Sequence, residues 1–244
     1  MHRYLLFPAL LSALLLISPT SSRAGFMDDM IKKLDLPTAA TAGLDDATVV
    51  KGLKEALSTG TGNAVASVSK TDGYFGNQLI RILMPEKLRT AADLLGKFGF
   101  RQEVDDFVLA MNRAAEKAAP KAREHFISAL QAMTFEDAQK ILQGGNTSAT
   151  EYFRRSTDKA IFAEFKPVVS ASLQDVGAIQ SYRQMADSYK SIPFAGSFAD
   201  VDLDNYVTNK AVEGLFTMIG EEEKKIRTNP AARSTELLKK VFGK

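Results

Sequence analysis

The chain has 244 residues, 45% hydrophobic and 25% charged, a composition that fits a globular protein with a substantial core. It has no cysteine, which excludes disulfides, a thiolate nucleophile, a lipid-modified N-terminal cysteine and any cysteine-ligated zinc or iron–sulfur centre. With 31 basic and 29 acidic residues the charge is nearly balanced, which argues against nucleic acid as a partner.

The chain opens with Met1-His2-Arg3, an apolar run from Leu5 to Ile17, and Ser22-Arg23-Ala24. A basic start, a short apolar stretch and a small-residue exit are the three parts of a secretory signal peptide. The run falls short of the about 20 apolar residues that span a bilayer. Residues 1–24 are therefore expected to be removed after Ala24, which places the mature protein in the periplasm or outside the cell. Residues 25–43 read as a lead segment and 44–244 as one helical domain. Without Arg3 and Arg23 the 31 basic residues fall to 29, equal to the acidic count. The charge is unevenly spread: residues 224–244 carry seven basic side chains against Glu236 alone. That tail could meet an anionic membrane surface or the acidic body before it.

The pattern after the lead segment is helical almost throughout, and all-α is the expected class, a single domain of about eight to nine helices. Val49, Leu53, Leu57, Ala64 and Val68 mark the first helix, and Gly52, Ala56, Gly60 and Ala64 add a ridge of small residues. Gly60 and Gly62 are places where this helix could bend or break. A loop at Gly73–Asn77 follows, then a short apolar run, Leu79–Met84, that could be extended. Pro85 suits the first position of the next helix. Val104, Phe107, Val108, Met111, Ala115 and Ala118 mark an amphipathic helix ending before Pro120. Ala122, Phe126, Leu130 and Met133 mark the next. Thr134 with Asp137, and Ser148 with Glu151, have capping-box spacing, with Gly144-Gly145 as a stop between them. A long helix should run from Ala149 to about Val176, interrupted at Pro167. Another covers Ala178–Lys190. Residues 191–202 are irregular, a last long helix spans Leu203–Arg227, and a short one lies near Thr235–Phe242.

Few residues look chemical. His125 is the only histidine outside the signal, so multi-histidine zinc sites within one chain are excluded, and a serine–histidine–aspartate triad could run only through it. Beside an apolar stripe and next to Glu124, it reads as a boundary residue. Asp200-x-Asp202-x-Asp204-Asn205 resembles the start of a calcium loop, but the required glycine and glutamate are replaced by Asn205 and Ala211. These acids suit a helix N-terminus better. Ser67/Lys70, Ser156/Lys159 and Tyr206/Lys210 have catalytic spacings without the companion motifs that would give them meaning. No catalytic residue, metal site or cofactor is expected.

A different signal is charge on apolar faces. In the last long helix Val207, Ala211, Leu215, Met218, Ile219 and Ile226 define a buried face, with Glu222 near its centre and Glu223 toward its edge. In the helix that begins near Ala149, Arg154 and Asp158 share the stripe of Ile161 and Phe165. Such groups must be paired or suffer a large desolvation cost. Two arrangements satisfy this: an internal salt bridge between helices, or a polar ligand pocket built from Arg154, Asp158 and Glu222.

Several stretches carry a family resemblance: Gly52-Leu53-Lys54-Glu55-Ala56-Leu57, Asn112-Arg113-Ala114-Ala115-Glu116, Gly144-Gly145 and Tyr152-Phe153-Arg154. Tyr206-Val207-Thr208, Gly214-Leu215-Phe216, Glu221-Glu222-Glu223, Ile226-Arg227, Asn229-Pro230 and Leu237-Leu238-Lys239-Lys240-Val241-Phe242-Gly243 extend it. Together they resemble an exported bacterial family of unknown function, numbered four-one-nine-seven. The resemblance implies a bacterial envelope protein and brings no activity, ligand or catalytic residue. Three readings of function stand: a non-catalytic binding or structural protein of the envelope; an enzyme or small-ligand binder using Arg154, Asp158 and Glu222; and a membrane-surface protein using the basic C-terminal helix.

Overall fold

The computed structural model describes residues 46–175, 177–229 and 231. The signal peptide and lead segment expected from the sequence, and the helix expected near 235–242, lie outside the described residues. Within them the chain is all-α, with no strand. The helices are α1 (Asp46–Ser69), α2 (Glu86–Lys97), α3 (Arg101–Ala118), α4 (Arg123–Ala132), α5 (Phe135–Gln143), α6 (Ser148–Asp175), α7 (Ala178–Ser191) and α8 (Leu203–Thr228). A short 3-10 turn, Ala119–Ala122, joins α3 to α4 and absorbs Pro120.

The core is organised around α8, which lies against α1, α3 and α6. Phe126 of α4, Phe153 of α6 and Phe216 of α8 meet edge to face there, with centroids 5.4 and 6.1 Å from Phe126. This edge-on geometry sets the positive ring edge against the negative ring face. All three rings are buried.

The small-residue ridge of α1 explains why that helix runs unbroken through Gly60 and Gly62, where the sequence allowed a bend. A Cβ at Gly60 would stand 3.3 Å from Ile226 Cδ1, so the missing side chain lets α8 approach closely. The packing of the two helices offsets the propensity cost of about 1 kcal/mol per glycine. Similarly, α6 continues through Pro167. Proline removes the hydrogen bond to the carbonyl of Ala163, but both residues are exposed, so water can satisfy that oxygen.

The run Leu79–Met84 has the alternation of a strand without forming one. Ile80, Ile82 and Met84 are buried, while Leu79, Arg81 and Leu83 are exposed. In place of a partner strand, the Asn112 side chain of α3 pairs with both main-chain groups of Ile82. Its Oδ1 accepts from Ile82 N–H at 2.8 Å, and its Nδ2 donates to Ile82 O at 2.8 Å. Pro85 then stands one residue before the start of α2.

Both boxes predicted around α5 and α6 can be compared directly. At α5, Thr134 and Asp137 form both arms of the box. At α6 they do not: Ser148 is already helical, and a glutamate from α8 serves the first turn.

Candidate functional site

Two buried glutamates carry most of the polar chemistry of the interior. Glu116 lies on α3 and is 4% exposed; Glu223 lies on α8 and is also 4% exposed. Both sit on faces otherwise filled by apolar side chains, where an ionised carboxylate needs several partners.

Glu223 caps a helix from another helix. Its Oε1 accepts from Ala149 N–H at 3.0 Å, and its Oε2 accepts from Thr150 N–H and Thr150 Oγ1 at 2.8 Å each. These are free donors of the first turn of α6, and negative charge there also meets the positive end of the helix dipole. Arg227, one turn further along α8, closes the charge balance with Nη2 2.9 Å from Glu223 Oε1. The same Nη2 donates to Ile141 O at 2.8 Å, tying in the C-terminal end of α5.

Glu116 holds a turn instead. Its Oε1 accepts from Tyr74 N–H at 3.1 Å and Phe75 N–H at 3.3 Å. Its Oε2 meets Arg113 Nη1 at 2.7 Å, and Arg113 Nη2 reaches Asp72 Oδ1, also at 2.7 Å. The bond to Glu116 is the main cause holding the Arg113 guanidinium above its ordinary pKa. Tyr74 is fully buried and donates its hydroxyl to Ala211 O at 2.6 Å. Burial, reinforced by the charge of Glu116, pushes the Tyr74 phenol above the ordinary tyrosine range.

The three residues expected on apolar faces are placed differently. Arg154 and Asp158 pair with each other at 3.9 Å on α6, with side chains 47% and 46% exposed. The Arg154 guanidinium also stacks 4.6 Å over the Phe216 ring, so its stem covers apolar surface while its charge stays wet. Glu222 pairs with Lys225 at 2.6 Å and accepts from Asn63 Nδ2 at 3.4 Å. Among the described residues no ion pair joins Arg154 or Asp158 to Glu222.

The exchange of Glu222 for Glu223 at the buried position has a simple cause. Val212 and Phe216 belong to the buried face as well. Leaving them out of the apolar set rotates its apparent centre toward Glu222; including them brings Glu223 inside. Arg227, four residues on, was the available signal, since a glutamate with an arginine at i+4 on a buried face is a ready internal pair.

Asp202, Asp204, Tyr206 and Lys210, from the remaining motifs, have structural employment. Asp202 caps α8, its Oδ1 accepting from Asn205 N–H at 3.0 Å, and that bond holds its carboxyl below the ordinary aspartate range. Asp204 accepts from the Ser170 hydroxyl. The Tyr206 hydroxyl donates to Leu83 O at 2.9 Å, and Lys210 pairs with Glu213 at 2.7 Å. His125 is half-buried, as its boundary position suggested. Among the described residues no group of three histidine, aspartate or glutamate side chains is placed to hold a metal ion, and no helix is long and apolar enough to cross a membrane. Two small clefts adjoin Glu223 between α1 and α8, both lined by Ala56, Leu57 and Ile226, and one of them also by Ala149 and Phe153 of α6.

A family model described as "Protein of unknown function (DUF4197)" matches residues 43–243. No curated protein and no solved structure matches this chain.

Proposed function

Given that the chain belongs to this family of unknown function, we propose that it is an exported envelope protein with a non-catalytic binding or structural role. One observation carries the reading: the two buried glutamates and the buried Asn112 are occupied in holding backbone. Glu116 and Glu223 each accept two main-chain N–H groups and one arginine. Asn112 uses its oxygen and amide group on Ile82 and Val108. A catalytic carboxylate needs an oxygen directed at a substrate proton, and these have theirs engaged within the fold. Export is supported by the three-part N-terminal sequence alone.

Metabolite profiling of the purified, denatured protein tests the role. The expected outcome is no stoichiometric small molecule. A stoichiometric ligand that disappears in Arg154→Ala or Glu222→Ala would establish the ligand-binding reading instead. N-terminal sequencing of protein recovered from the envelope tests export: the expected first residue is Gly25, and an intact Met1 on the soluble species would refute it.

A further inference from the structure

The burial of α1 continues past the point where α8 stops. Asn63 of α1 meets Glu222, and a Cβ at Gly60 would stand 3.3 Å from Ile226 Cδ1, so the two helices run antiparallel. Only Arg227 and Thr228 carry α8 beyond Ile226, about 3 Å of helix. Gly52 lies eight residues before Gly60, about 12 Å further along α1, and it is still buried. At the helical period it shares its side with Ala56 and Asn63, the side that α8 covers further on. Described α8 therefore falls short of the residue that needs covering.

The end of α8 leaves a seat at the same place. Ala56 and Ile226 are buried against each other, apart from the continuous core. Both line the two small clefts beside Glu223, and Arg227 lines one of them. The chain leaves the helix axis here. Asn229 is extended, with φ of −114° and ψ of 108°, and its Oδ1 accepts from Ala231 N–H at 3.0 Å, closing a turn.

Residues 232–244 follow from that turn and lie outside the described residues. Their apolar members, Leu237, Leu238, Val241 and Phe242, are spaced to form one side of a two-turn helix. A helix that short is marginal in water unless its apolar side is packed. The six steps from Ala231 to Leu237 span up to about 20 Å, more than the distance from Ile226 to the level of Gly52. Tethering at Ala231 gives this segment a far higher effective concentration at the seat than a separate partner would have.

We propose that residues 234–244 dock on this chain's own α1, with Leu237, Leu238, Val241 and Phe242 over Gly52 and Ala56 and beside Ile226. The missing side chain at Gly52 then does for this segment what Gly60 does for α8. Docking also withdraws the apolar side of the basic tail from any membrane, leaving Lys239, Lys240 and Lys244 outside. It is independent of the binding or structural role proposed above.

Three measurements on the full chain decide it. On illumination, p-benzoylphenylalanine replacing Phe242 should cross-link within its own chain to residues 49–59, and Gly52→Leu should abolish that adduct by filling the seat. An adduct elsewhere on the chain, on a second copy or on lipid, or no adduct, overturns the proposal. Gly52→Ala should lower the melting temperature, because its Cβ meets the docked segment. In a chain carrying Leu238→Lys and Phe242→Lys the seat is empty, and Gly52→Ala should instead raise melting by about 2–4 °C, as for a glycine in an exposed helix. A fall in both backgrounds would assign the cover of Gly52 to the rest of the fold, and a rise in both would leave it uncovered; either refutes docking. The chain has no tryptophan, so emission of Phe242→Trp reports on this position alone. It should stay unchanged with vesicles of phosphatidylcholine and phosphatidylglycerol; a blue shift on adding them would assign the segment to lipid.

Discussion

Glu223 and Glu116 are equally buried, and each is balanced by an arginine on its own helix, yet they do different work. Glu223 joins three helices: it sits on α8, caps α6, and through Arg227 reaches the end of α5. Glu116 joins one helix to one turn, holding Tyr74 and Phe75 against α3. Their arginines differ too. The Arg227 side chain is 12% exposed, whereas that of Arg113 is 28% exposed and has Asp72 as a second anion. Removing a buried carboxylate is costly to the degree that it strands buried donors from several elements at once. The carboxylate at the three-helix junction should therefore matter more than the one at the turn.

The sharpest way to break that comparison is Glu223→Ala. It leaves Arg227 without its carboxylate and frees the first N–H groups of α6, so unfolding free energy should fall by about 3–5 kcal/mol in denaturant titration. Glu222→Ala is the internal control, because its half-wet pair with Lys225 should contribute no more than about 1 kcal/mol. Equal losses for the two variants would remove Glu223 from the junction. Glu116→Ala should fall between them, at about 2–3 kcal/mol, because Arg113 keeps Asp72 and water can reach it. Hydrogen exchange should then show early opening at Tyr74 and Phe75 while the α6 amides stay protected. Loss of α6 protection would mean the two clamps are one cooperative unit.

Gly214→Ala tests the turn end from the opposite side. A Cβ there would lie 2.7 Å from Tyr74 Cε1 and 3.1 Å from Ile80 Cβ, and a buried ring beneath a helix has little room to shift. A loss of about 1–3 kcal/mol is expected. Unchanged stability would show that the turn yields easily, leaving little for Glu116 to secure.

The smallest effect concerns the exposed caps. Bonds from Thr134 hold the Asp137 carboxyl below its ordinary pKa, and the Asn205 N–H does the same for Asp202. A depressed folded pKa means the contribution is complete above the unfolded value near about 3.9 and is lost as pH falls through the folded value. Asp137→Asn and Asp202→Asn should each make stability less dependent on pH on the acid side, with little change in slope near neutrality. Thr134→Ala should cost about 1 kcal/mol near neutrality, since it removes an N-cap. An acid limb steeper in these variants than in the wild type would reverse the sign assigned to the caps.

Much of the fold was legible along the chain. Helical periodicity located the elements because each buries a face against the same centre, and Thr134 with Asp137 marked the start of α5 because that cap is closed within four residues. Capping at α6 could not be read this way. Ser148 and Glu151 have the spacing, but the donors of the first turn are taken by Glu223, more than seventy residues away in sequence. Arg154, Asp158 and Glu222, which the sequence assigned to either an internal salt bridge or a polar pocket, were singled out by the same kind of local pattern. Each of those residues found a partner within one turn of its own helix.

What the sequence by itself determined was the set of helices, most of their ends, and the all-α class, since periodicity, caps and breakers act over a few residues. Tertiary structure decided which charges went inside. Glu222 and Glu223 are adjacent and chemically identical, and only the packing of α1 and α6 around α8 distinguishes them. Partial shielding by α1, with Asn63 and Lys225 in reach, suffices for Glu222. Full burial of Glu223 is possible because the open end of α6 supplies N–H donors where the carboxylate arrives.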